Sequence, residues 1–209
     1  MWVHDSLIRK IAEQKKKEEQ CDKWEKSPYK DLVKLQSNNV GNVGEGLIEA
    51  ICKATNIPSS CDGSKTKKKG GGDGDGKILG HIVEIKTAHE GCGESTSYQH
   101  ELGEVPWKPA FYIFVDISPH CIYITIFKNV DESTYKESKK YPCFPTRSIT
   151  WRKEKGAFKF DTTVKINEKS VEEGHAVKII PTMPRQKELV AELIRKVFPK
   201  ETDCKQSTS

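Results

Sequence analysis

No apolar run in this chain approaches the roughly 18 residues that a membrane-crossing helix needs, and its mean hydropathy is −0.66. A membrane-spanning class is set aside on that ground, and no membrane partner is expected. Cysteines are scattered rather than patterned: the seven, Cys21, Cys52, Cys61, Cys92, Cys121, Cys143 and Cys204, are odd in number and contain no C-x-x-C. A disulfide scaffold or a paired-cysteine zinc module needs such spacing. His89 and Cys92 stand three apart, as metal ligands sometimes do, yet no second pair completes a zinc site. No charged-then-apolar leader opens the sequence. A cytoplasmic protein with reduced thiols is the expectation. Internal repeats are also lacking.

What is present is charge. Of the 209 residues, 31% are charged, and the formal net charge is +5. That length suits one sizeable core. The expected division is an N-terminal helical segment over residues 1–36, a single domain over 37–200 and a disordered tail over 201–209. Two basic clusters stand out. Lys65, Lys67, Lys68 and Lys69 directly precede an acidic, glycine-rich stretch. Lys139, Lys140, Arg147, Arg152, Lys153 and Lys155 form the second, which contains Tyr141 and Trp151. Basic clusters around a small acidic centre are the electrostatics of a site that takes a polyanion through cations. Solvated lysine loops are the alternative reading of the same residues.

Periodicity gives a coarse outline. Residues 5–25 read as a helix with Leu7, Ile8 and Ile11 on one face, then a solvated run of charge. A short helix is expected over 29–35, followed by a turn at Ser37-Asn38-Asn39. An amphipathic helix over 43–55 places Leu47, Ile48, Ile51 and Ala54 on its apolar face. Glu45 lies about 60° around the helix from Ile48 and Glu49 about 100°, so Glu45 is the better placed to look into a site. A hairpin is expected from 77–79 to 81–87, and strands over 111–117 and 121–127. Residues 91–109 read as loop, with at most a short helix at 99–102. A strand over 158–166, a short strand over 177–180 and an amphipathic helix over 184–198 complete the chain. The whole predicts an α/β or α+β fold with a central mixed sheet flanked by helices.

The chemistry concentrates at Gly71-Gly72-Asp73-Gly74-Asp75-Gly76 and the strand that follows, Ile82-Val83-Glu84-Ile85-Lys86. Side chains alternate along a strand. Glu84 and Lys86 therefore share one face, while Val83 and Ile85 take the other. Other acidic-x-Lys pairs, Glu13/Lys15, Glu137/Lys139 and Asp203/Lys205, lie in polar segments. Two familiar patterns overlap here and both fail. Residues 71–77 fit G-x-x-x-x-G-K, but Ile78 replaces the Ser or Thr and a strand replaces the helix that a phosphate loop requires. Asp73, Asp75 and Glu84 fit positions 1, 3 and 12 of a calcium loop, but Lys77 and Ile78 occupy positions 5 and 6. A hairpin explains more. Asp75 falls on the neighbouring arm, opposite or close to Glu84. Two converging carboxylates are costly unless a cation neutralises them. Magnesium takes one or two carboxylates together with water and phosphate oxygens.

Asp75, a hairpin and Glu84-Ile85-Lys86, preceded by a helix carrying Gly44-Glu45-Gly46, resemble the PD-(D/E)xK nuclease motif. The likeness spans roughly residues 41–128. It departs at Gly74, where the pattern has Pro, and this leaves Asp73 as a rival first ligand. The resemblance implies a restriction-endonuclease-like core and Mg²⁺-dependent hydrolysis of DNA phosphodiesters, with Mn²⁺ as a substitute and 5′-phosphate and 3′-hydroxyl products. Asp75, Glu84 and the Ile85 carbonyl would hold the metal. Lys86 would act on the attacking water or the charged phosphate, and Glu45 would add to the metal shell or anchor Lys86. Gln99 becomes a candidate neighbour of the site, and Lys67, Lys68, Lys69, Arg152 and Lys153 are candidate DNA contacts. A stand-alone chain of this size is most similar to type II restriction endonucleases, which implies double-stranded DNA as partner and a homodimer. Junction resolvases and repair exonucleases of the same superfamily are alternatives. So is a non-catalytic nucleic-acid-binding protein in which Glu84 and Lys86 form only an exposed ion pair.

Overall fold

The computed structural model describes residues 2–19, 22–61, 74–103, 108–128, 150–154 and 157–199. Asp73, the lysines at 65–69, most of the second basic cluster and the tail 201–209 lie outside them. A five-stranded mixed sheet organises the chain. Its strands are β1 (Gly76–Ile78), β2 (His81–His89), β4 (Phe111–Ile117), β5 (Ile122–Lys128) and β8 (Ala176–Ile179), in the order β1-β2-β4-β5-β8. Strands β2 and β4 run parallel and the other neighbours antiparallel. β4 is buried along its whole length, as the unbroken run Phe-Tyr-Ile-Phe-Val-Asp-Ile requires of a strand covered on both faces.

One face carries helices α3 (Ser37–Ala54) and α5 (Gln186–Val197). Val40, Ile48 and Cys52 from α3 and Val190, Ala191, Leu193 and Ile194 from α5 close over Val83, Ile85, Phe111, Ile113 and Val115. The stripe on α5, considered as a dimer seam, thus packs on the protein's own sheet. Gly44 lets α3 approach closely: a Cβ there would lie 1.7 Å from Thr87 Oγ1. Trp24, on the single turn α2 (Asp22–Glu25), and Leu32 join this core, beyond helix α1 (Trp2–Glu19). Leu7, Ile8 and Ile11 of α1 stay more than half exposed, in keeping with a helix that has little to bury.

The opposite face packs on helix α4 (Val164–Glu172) and on a smaller antiparallel sheet, β3 (Ser97–Gly103), β7 (Ala157–Thr163) and β6 (Thr150–Glu154), in the order β3-β7-β6. Phe114, Phe127, Phe160 and His100 interlock there. His100 Nε2 lies 2.6 Å from Asp116 Oδ1, and Asn167 Nδ2 donates to Asp116 Oδ2 at 2.8 Å. The Asp116 carboxylate is therefore buried with partners on both oxygens.

Several sequence expectations are corrected. Within 91–109, read as loop with at most a short helix at 99–102, Ser97–Gly103 is strand β3. The expected turn at Ser37-Asn38-Asn39 is the first turn of α3. Residues 29–35 form a turn and a single 3₁₀ turn, Leu32–Lys34. The strand expected over 158–166 stops at Thr163, whose hydroxyl accepts from the Ile166 N–H at 3.2 Å and opens α4. Cys52, Cys61 and Cys121 are free thiols, whereas Cys92 is disulfide-bonded, against the expectation of uniformly reduced cysteines. No helix among the described residues is long and apolar enough to cross a membrane.

Candidate active site

Leu79 and Gly80 both have positive φ, 49° and 80°, the geometry of a two-residue hairpin turn. This turn sets β1 against β2 with Gly76 opposite Val83. Carrying that register one residue further places Asp75 opposite Glu84, as the nine-residue spacing implies. Two glycines hold Asp75 in place. Gly74 has φ 91°, and a Cβ there would lie 2.5 Å from the Val83 carbonyl oxygen. Proline is locked near −65°, so the backbone at this position does not admit it. At Gly76 a Cβ would meet Ser60 O at 2.3 Å and Cys61 Cα at 2.6 Å. The segment Ser59–Cys61 thus lies flat on β1, where Ser60 N donates to Lys77 O at 2.9 Å.

That segment is anchored from α3. Glu49 Oε2 accepts from Cys61 N at 3.0 Å and from Cys61 Sγ at 3.2 Å. Burial pushes the Glu49 carboxyl up, but the donors from Cys61, Ser59 and Lys53 outweigh it and bring it down to about 2. Glu49, which periodicity sets farther from the buried stripe than Glu45, is a buried post beneath the Asp75 arm.

Asp75 is 7% exposed. Its N–H donates to Val83 O at 2.8 Å, and its Oδ2 accepts from Ile85 N at 2.8 Å. A strand residue directs its N–H and C=O to the same neighbour. The Ile85 carbonyl therefore faces the Asp75 edge of β2. Glu84 and Lys86 project from one face, half-buried, with Lys86 Nζ ion-paired to Glu84 Oε1. Across the parallel ladder Glu84 stands opposite Tyr112 and Lys86 opposite Phe114. The Tyr112 phenol is pushed well above its ordinary range, first by burial and then by the charges of Glu84 and Asp75. Both carboxylates thus act on one buried hydroxyl, which stays protonated. Tyr112 carried no sequence signal beyond its strand, because the parallel register that sets it beside Glu84 joins strands 28 residues apart.

Comparison with protein-family models, with curated proteins and with solved structures finds no match.

Glu45 is buried, 3% exposed, on α3, which covers the face of β2 opposite to Glu84 and Lys86. Among the described residues no group of three or more His, Cys, Asp or Glu side chains converges as a metal cage. The donors at the hairpin are two carboxylates and one carbonyl, all oxygen. Such a set suits Mg²⁺, which completes its shell with water and phosphate, and does not suit a soft metal. Arg152 and Lys153 lie on β6, an edge of the smaller sheet. Gln99 is exposed on β3 and lines a cleft of about 370 Å³. The cleft begins where β2 leaves Lys86, with Thr87, Ala88 and His89 as one wall and Ser37 and Val40 of α3 as another. Between His89 and Gly91 of the lining, the buried Glu90 accepts from Lys23 Nζ at 3.0 Å, Ser118 Oγ at 2.6 Å and Tyr98 OH at 3.2 Å.

Proposed function

We propose that this protein is a Mg²⁺-dependent nuclease that hydrolyses DNA phosphodiesters, built on a restriction-endonuclease-like core of α3, β1, β2 and β4. One arrangement carries the reading: the hairpin register brings Asp75 opposite Glu84, Asp75 Oδ2 accepts from Ile85 N at 2.8 Å, and Lys86 is ion-paired to Glu84. Asp75 and Glu84 are the residues that would hold Mg²⁺, or Mn²⁺ in its place, with the Ile85 carbonyl as a third oxygen. The ion, when bound, supplies Lewis-acid activation of water and of the phosphoryl oxygen. The protein's own groups do the rest. Asp75 is oriented by the Ile85 N–H and the tight backbone at Gly74 and Gly76. Lys86 brings a cation beside the phosphate, where negative charge grows in the transition state. Tyr112 keeps a protonated hydroxyl beside the two carboxylates. Glu45 supports the site from beneath, through α3.

The finer reading is a type II restriction enzyme cutting double-stranded DNA as a homodimer. One centre cuts one strand, and two copies about a twofold axis face both strands of a symmetric site. The pairing surface then lies elsewhere than the buried face of α5.

Glu84→Gln and Lys86→Ala test the assignment. Each side chain is partly exposed and contributes little to packing, so both variants are expected to melt within a few degrees of the wild type. Each should lose cleavage by about two or more orders of magnitude. A variant that keeps most of its activity removes that residue from the site.

A further inference from the structure

The cleft beside Lys86 differs in character from the site it adjoins. The hairpin carries charge, whereas no carboxylate, lysine or arginine lines the cleft among the described residues. Val40 and Ala88 give it apolar surface; Ser37, His89 and Gln99 give it hydrogen-bonding groups. His89 Nδ1 donates to Glu90 O at 2.8 Å, which leaves Nε2 as the ring nitrogen available for a second hydrogen bond. Gln99 offers one donor group and one acceptor. Its volume of about 370 Å³ is in the range of a small-ligand pocket.

Position says what enters. Thr87 and His89 turn to the α3 side of β2 and Ala88 to the side of Lys86, so the cleft stands at the edge of the strand, about 7 Å along it from Lys86. A DNA strand whose phosphodiester lies at Asp75, Glu84 and Lys86 has its adjoining nucleotide at this distance. The charged backbone gains nothing from a neutral, partly apolar cleft. The base, uncharged and edged with donors and acceptors, matches it. We infer that the cleft takes one nucleobase next to the scissile phosphodiester, resting on the nuclease reading above. A paired base is stacked inside its duplex, so the base received is either already unpaired or turned out of the helix. The substrate class is DNA that presents an unstacked nucleotide beside the cut.

Ala88→Leu fills the cleft, and Gln99→Leu removes its hydrogen-bonding amide from an exposed position that the fold does not depend on. Wild type and both variants are compared on DNA whose cut position has been mapped with Mg²⁺, in copies lacking the base at each nucleotide flanking the cut. Removal of one particular base should slow the wild type about tenfold or more. The variants should be slowed similarly on intact DNA and lose nothing further on the copy without that base. In Ca²⁺, binding should brighten 2-aminopurine placed there. Brightening within paired DNA identifies a base turned out by the protein; base dependence confined to forked or single-stranded DNA identifies one already unpaired. A wild type that cuts every base-deficient copy as fast as intact DNA overturns the cleft assignment and leaves the nuclease standing. No Mg²⁺-dependent cutting of any DNA overturns both.

Discussion

Glu49→Gln isolates the electrostatic post beneath the candidate site. The substitution keeps size and shape, and its amide oxygen can still accept from Cys61 N, but the charge that draws the donors together is gone. In the fold the carboxyl titrates at about 2, against an ordinary value of 4.5. A carboxylate depressed that far contributes about 3 kcal/mol at neutral pH. Lys53 is the exposed partner, so its share is screened, and the bonds from Cys61 carry most of the effect. Because the folded value is the lower one, the contribution is fully present above pH 4.5 and disappears as the pH falls from 4.5 to about 2. Urea unfolding of both proteins across that window measures it directly. The variant should be about 1–3 kcal/mol less stable at pH 7, a midpoint lowered by roughly 1 M. The gap should close as the pH approaches 2. A gap constant across the window, or absent at pH 7, would refute the account of Glu49 as an ionised post.

Two further outcomes follow from the same geometry. Gly76→Ala should destabilise the protein by about 1–3 kcal/mol and lower cleavage more than stability, because its Cβ meets backbone at Ser60 and Cys61 and must displace Asp75; denaturant midpoints beside cleavage rates show whether both fall. Sedimentation with a cleavable duplex in Ca²⁺ should find two chains per duplex, and one chain that nicks a single strand would exclude the twofold arrangement.

The hairpin was legible because its punctuation is local. Glycines at 74, 76 and 80 mark the turns, and Val83 and Ile85 alternate with Glu84 and Lys86. The strands at 111–117 and 122–128 announce themselves by continuous apolar residues. What escaped depends on partners distant in sequence. Strand β3 turns Tyr98, His100 and Leu102 inward, but His100 is polar, and its justification, Asp116, sits on another strand. The strand ending at Thr163 shares its two-residue period with Val164 and Ile166, so only the threonine cap reveals where helix α4 starts. Helix α3 begins at Ser37 despite asparagine and glycine in its early turns, because Gly44 against Thr87 supplies a contact that propensity does not register. The angle of Glu49 on the helix gave no sign of its burial, yet the buried Cys61 N–H needs an acceptor and finds one there. The cleft is assembled from α3, β2 and β3, and no single stretch of sequence describes it.

The central claim is that Asp75, Glu84 and Lys86 form a metal-dependent phosphodiester-cleaving site, and cleavage of long double-stranded DNA by the purified protein tests it most directly. The account predicts cutting with Mg²⁺ or Mn²⁺, binding without cutting in Ca²⁺, and none in excess chelator. Equal cutting in excess chelator, or intact DNA in the presence of Mg²⁺ and Mn²⁺ alike, would contradict it.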